Sequence, residues 1–179
     1  KIKHMKYAVG IDVGKNGGIV IIDDLDQVTT MATPKVNKDE IDIHQIVRVL
    51  EDLKLTAPAK QGGNTAVENK IHIAIEDVHS IFGVGAKANF QFGRALGILE
   101  GVVIGLGLPF TKVSPKIWQK DMWMGIKPVE INTGKKTKEG NIKFKTDTKA
   151  TSLLAAKRLY PHLDLRATER SKKAHDGIV

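Results

Sequence analysis

The sequence contains no cysteine, which rules out a disulfide framework and any thiolate metal site. Long apolar runs are missing as well. Nothing approaches the roughly 18–20 consecutive apolar residues of a membrane-spanning helix, and no secretory leader is visible. Neither a P-loop nor a dinucleotide fingerprint occurs, so no nucleotide cofactor is expected. What is present is 179 residues, 41% hydrophobic and 27% charged, enough for one domain with a real core. A reducing, cytoplasmic setting without membrane contact is the expectation. The opening "KIKHM" (residues 1–5) reads as a tag remnant with Met5 as the native start, and residues 6–179 as a single domain whose chain continues past Val179.

The formal charge of +8 is unevenly spread. Residues 1–111 hold 12 Lys/Arg against 13 Asp/Glu, whereas residues 112–173 hold 16 against 6. All the positive excess therefore sits in the last third. A solvated surface is the plain reading of a charge run, but an asymmetry this large points to a polyanion, with nucleic acid the foremost candidate.

Tyr7, Val9 and Ile11 alternate with Ala8, Gly10 and Asp12, a period of two that predicts a strand. Asn16-Gly17 is a hairpin signal, and "GIVIIDD" follows as the second strand. "QVTTMATP" predicts a third strand and residues 39–54 a helix. The segment "APAKQGGNTA" reads as a loop and "KIHIAIED" as the next strand. "KANFQFGRALGILEGVVIGLG" is helix-length, with Gly93, Gly97, Gly101 and Gly105 at every fourth position. Each glycine costs a helix about 1 kcal/mol relative to alanine, so the stripe needs a compensating close approach. Packing against the domain's own sheet is expected, with a helix-to-helix dimer contact as the alternative. "LPFTKVSP" predicts a fifth strand and "KTDTKATSLLAAKRLYP" a last helix, giving an α/β fold with a mixed sheet.

Asp12 and Glu76 each end an apolar strand, on the face opposite its isoleucines. Alone, each reads as a hydrogen-bonded strand-end carboxylate. On neighbouring strands they would emerge at one edge and repel unless a cation lay between them or one were protonated. All-oxygen ligation suits Mg²⁺, with Mn²⁺ as a substitute, and two such ions would suit phosphodiester hydrolysis. "AHDGIV" offers Asp176 as a third acid, although a helix cap is its plain reading, and His175 as a group that could position water or take a proton.

Together "GIDVGKNGG", "IAIEDVHSIFGVGAKANFQFGRALGILEG", "VSPKIWQK", "KATSLLAAKRLYP" and "KKAHDGIV" resemble the RuvC-type Holliday-junction resolvases, in particular their bacteriophage branch. The resemblance runs from Lys6 to Val179. It implies a ribonuclease H-like mixed five-stranded sheet flanked by helices, and a homodimer that cuts opposed strands of a four-way DNA junction with two divalent ions per site. Asp12, Glu76 and Asp176 match the family's catalytic, metal-binding carboxylates, and a fourth acid would lie about one helical turn further on, beyond Val179. The resemblance also places an aromatic after the second acid. Phe82 is the candidate, with a core or dimer-interface ring as the alternative. Lys135, Lys136, Lys138, Lys143 and Lys145, in the expected loop "TGKKTKEGNIKFK", are candidate phosphate contacts or simply solvated, and Lys116 matches a basic position. Trp118 and Trp123 read as core. A non-catalytic junction-binding protein, or a nuclease acting on other branched DNA or RNA–DNA hybrids, stays open. Actin-like kinases and chaperone ATPases share the first-strand Asp and glycine turn but need two such domains, for which this chain is too short.

Overall fold

The computed structural model describes residues 5–14, 16–38, 40–56, 67–77, 85–166 and 173–174. Strands β1 (Lys6–Asp12), β2 (Gly18–Asp23) and β3 (Val28–Ala32) form an antiparallel meander. After helix α1 (Ile43–Lys54) come the short paired strands β4 (Leu55–Thr56) and β5 (Val67–Glu68), then β6 (Lys70–Glu76). Helix α2 (Ala86–Gly105) leads to β7 (Phe110–Val113), and α3 (Pro115–Met122) follows. A two-stranded pair, β8 (Glu130–Lys136) and β9 (Ile142–Thr146), precedes α4 (Thr148–Leu159).

The main sheet has the order β3-β2-β1-β6-β7, with β1, β6 and β7 parallel. This is the mixed five-stranded α/β sheet with flanking helices expected of a ribonuclease H-like domain. The predicted strands and helices are all present, most with shorter ends, while α2 begins one residue earlier than the predicted stretch. Helix α1 starts at Ile43 rather than residue 39 because Asp42 caps it, its Oδ1 accepting the Gln45 N–H at 3.0 Å. Asp147 caps α4 in the same way, accepting from Ala150 N at 3.1 Å. The predicted loop over residues 57–66 lies outside the described residues.

One sheet face carries Val9, Ile11, Ile19, Ile73 and Ile75, which pack with Ile46 and Leu50 of α1 and with Ala95, Leu99 and Val103 of α2. Each large side chain buried there contributes roughly 1.5–3 kcal/mol. Register is fixed at the edge of this core. Asn69, only 8% exposed, accepts from Met5 N at 3.1 Å and donates to the Leu53 carbonyl at 2.8 Å, while Lys70 N donates to Met5 O. Those bonds start β6 beside β1 in step, and every later pair follows, from Lys6 with Lys70 to Ile11 with Ile75.

Two expectations are corrected here. The glycine stripe of α2 does not pack on the sheet: Gly93, Gly97, Gly101 and Gly105 are exposed, with nothing among the described residues within 4 Å of an added Cβ. The helix seats its Ala95, Leu99 and Val103 row on the core instead, because side chains and not bare backbone fill the space over the isoleucines. The lysine-rich segment is not a loop but the β8–β9 hairpin. Its turn closes through Thr137 N to Asn141 O, and Gly140 takes a positive φ of 84°.

Candidate active site

In parallel strands in step, paired residues share a face and stand about 4.8 Å apart. Continuing the register by one residue sets Asp12 beside Glu76, at the carboxyl ends of β1 and β6, on the face away from the core. Below them on that face sit Gly10 and Ala74, whose small size keeps the floor low. The strands thus bring together the two acids the alternation marks.

Both acids line a cleft of about 1930 Å³. Its walls come from α2, α3, α4 and the segment after α4, and six cations project into them: Lys87, Arg94, Lys149, Lys157, Arg166 and Lys173. Arg166 is partly spent, since its guanidinium pairs with Asp164 at 2.6 Å and holds that carboxyl down to about 2. An acidic floor between basic walls suits a cation with an anionic substrate laid over it.

Trp118 corrects its reading as core. It lines the cleft from α3, half-buried, and its indole Nε1 donates to Glu76 Oε1 at 3.1 Å. Trp123 is likewise half-buried rather than core, and it ties the end of α3 to α4, its Nε1 donating to Ser152 Oγ at 3.2 Å. A carboxylate offers about four lone-pair positions, so one indole N–H orients Glu76 and leaves capacity for a cation.

Lys116 is exposed on the first turn of α3 and does not line the cleft. Lys135, Lys136, Lys138, Lys143 and Lys145 are exposed on the hairpin, also outside the lining. Phe82, His175 and Asp176 lie outside the described residues, although the preceding Lys173 and Ala174 line the cleft. Among the described residues no three acidic or imidazole groups cluster as a metal site. The cationic walls went unread in the sequence. The spacing of Lys87, Gln91, Arg94 and Ile98 along one helix face was the available signal.

No protein-family model matches the chain. No curated protein matches it either. Among solved structures it is similar to RuvC of T. thermophilus in complex with a Holliday junction substrate, with a TM-score of 0.44 and 14% identity, covering 68% of this chain and 70% of that one. Among the described residues no helix is long and apolar enough to cross a membrane.

Proposed function

We propose that the chain is a metal-dependent endonuclease of the RuvC type, resolving four-way DNA junctions as a homodimer. The observation that carries this reading is that Asp12 and Glu76, each one residue beyond the in-step pair Ile11 and Ile75, line one cleft together with lysines and arginines. The donor set fits the group the reading requires: two carboxylates at one strand spacing, all oxygen, one of them oriented by a neutral N–H donor. Asp12 and Glu76 would hold Mg²⁺ or Mn²⁺, with Asp176, two residues beyond the cleft-lining Ala174, as the third ligand. The bound cation would supply an activated water and charge stabilisation for phosphodiester hydrolysis. The chain's own part is to seat the DNA. Lys87 and Arg94 of α2 and Lys149 and Lys157 of α4, which line the cleft, would face phosphates, and the low floor at Gly10 and Ala74 lets the backbone come down to the acids.

The test is cleavage of a labelled four-way junction in Mg²⁺ and Mn²⁺, against duplex and flap controls. Paired, symmetric nicks confined to the junction are expected. Tight binding without nicks in either metal would replace the nuclease by a junction-binding protein.

Two further outcomes follow from named groups. Trp118→Phe keeps a ring and loses the N–H that orients Glu76. Mn²⁺ affinity, measured by calorimetric titration, is expected to weaken by about tenfold, in the range for a group that orients a ligand. Melting temperature should hold.

The open face of α2 supports the homodimer: its four glycines are flanked by Phe90 and Ile104, 69% and 64% exposed. Gly97→Leu with Gly101→Leu places each new Cβ where nothing among the described residues lies within 4 Å, and removes two poor helix formers. Protomer stability should rise by roughly 1–2 kcal/mol, while sedimentation equilibrium should show self-association lost. A double variant that still dimerises would place the interface elsewhere.

A further inference from the structure

The sequence treats the five hairpin lysines as one set, and the register divides them. Ile131 pairs with Lys145 and Asn132 with Phe144, while Lys136 pairs with Ile142. Lys143 and Lys145 therefore share one face, and Ile142 and Phe144 share the other with Lys136. Both apolar side chains are 52% exposed, and every residue of the two strands is exposed except the half-buried Thr133. Such a hairpin, with neither face covered, is marginal in water by itself.

The root of the hairpin is nonetheless fixed. Asp147 N donates to Val129 O at 2.7 Å, and Val129 N donates to Oγ1 of Thr151, a fully buried residue of α4. Immediately after β9, Thr148 and Lys149 line the cleft. The arm thus starts next to residues that line the cleft and is about 15–17 Å long. A register shift between Asn132 and Lys136 bends it midway. Gly134 takes φ +70°, its N–H bonds to Asn132 Oδ1 at 2.8 Å, and Thr133 Oγ1 donates to the Lys143 carbonyl at 2.6 Å.

We infer that this arm grips nucleic acid beside the cleft, with Lys143 and Lys145 on phosphates and Phe144 and Ile142 laid against unstacked bases. The inference rests on the reading that the cleft receives a nucleic-acid phosphodiester. Charge selects the occupant. Residues 130–146 carry five lysines against Glu130 and Glu139, and a second copy of the chain would bring the same excess. A polyanion with flat apolar faces complements both sides of the arm at once, which is the chemistry of bases on a phosphate backbone.

The two faces predict separable effects on binding, read with the full chain in EDTA on a junction and a single strand labelled with 2-aminopurine. Phe144→Ala should weaken binding by about tenfold or more, through lost stacking. It should abolish the fluorescence change and leave the salt slope unaltered, and Phe144→Trp should restore binding. Lys143→Ala with Lys145→Ala should instead reduce the slope of log affinity on log salt by about 1.8 on duplex arms. Unchanged affinity and fluorescence in Phe144→Ala would overturn the inference. So would a Phe144→Ala effect confined to self-association, which would give this face to a second copy. A chain that binds through the arm yet never nicks a junction would leave the arm standing and remove the nuclease reading. A wild type that binds no nucleic acid would remove both.

Discussion

Asp12→Asn and Glu76→Gln should each lower junction cleavage by at least about a thousandfold, while affinity for the junction in EDTA stays within about twofold. The two acids follow the in-step pair Ile11 and Ile75 at adjacent strand ends, so a cation between them would lose a large share of its hold when either loses its charge. Charge stabilisation by a metal in such a site is worth several kcal/mol, and about 4 kcal/mol is a thousandfold in rate. Binding should survive because the cations lining the cleft come from α2, α4 and the segment after α4, not from the strands. Removing one carboxylate even lowers the repulsion of DNA from the floor. The measurement is single-turnover cleavage beside fluorescence anisotropy on the same junction. A variant that cuts at the wild-type rate would end the assignment of that acid.

A second large effect is expected at Gly17, and on stability. Gly17 is buried in the turn between β1 and β2, donates to Gly14 O at 3.1 Å, and accepts from Thr33 N at 2.9 Å. A Cβ there would overlap the Asp12 carbonyl oxygen and lie 2.9 Å from its carbon and 3.1 Å from Gly14 O. These neighbours are backbone, so no rotamer change relieves the overlap and the turn must open. Gly17→Ala should cost about 3 kcal/mol, at the upper end for overpacking. In a chain of this size that is a fall in melting temperature of roughly 6–12 °C. Gly10→Ala is the control: it lies on β1, exposed, with nothing among the described residues within 4 Å of its new Cβ, and should melt with the wild type. Because the overlap is with Asp12 itself, Gly17→Ala should also lower cleavage below its melting range, whereas Gly10→Ala should act only through the floor it raises.

The contrast between the strands and the hairpin shows what the sequence makes legible. Strand β6 alternates Ile71, Ile73 and Ile75 with His72, Ala74 and Glu76 because one face is buried, and that period is readable in the letters. The same logic marked both acids as a pair before any register was known. The hairpin buries neither face, so its alternation of lysine with Ile142 and Phe144 had no core to refer to, and it read as a loop. Helix α3 escaped for a related reason: it is eight residues long and none of them is buried. Trp118 was misread because large apolar rings usually fill cores, and only its place on α3, facing β6, brings its N–H to Glu76. The glycines of α2 gave the right signal, a bare backbone stripe, but not which side of the helix faced the sheet. That was settled by competition with the Ala95, Leu99 and Val103 row for the same core surface.

The parallel pairing of β1 with β6 also orders events during synthesis. The meander of β1, β2 and β3 is complete within the first 32 residues and leaves one edge of β1 bare. Its acid has no counterpart until Glu76, 64 positions later, has left the ribosome and β6 has docked along that edge. Closing so long a loop is slow compared with forming a hairpin. The nascent chain therefore holds the whole meander before Asp12 gains its neighbour, and the two acids meet only when a distant segment arrives.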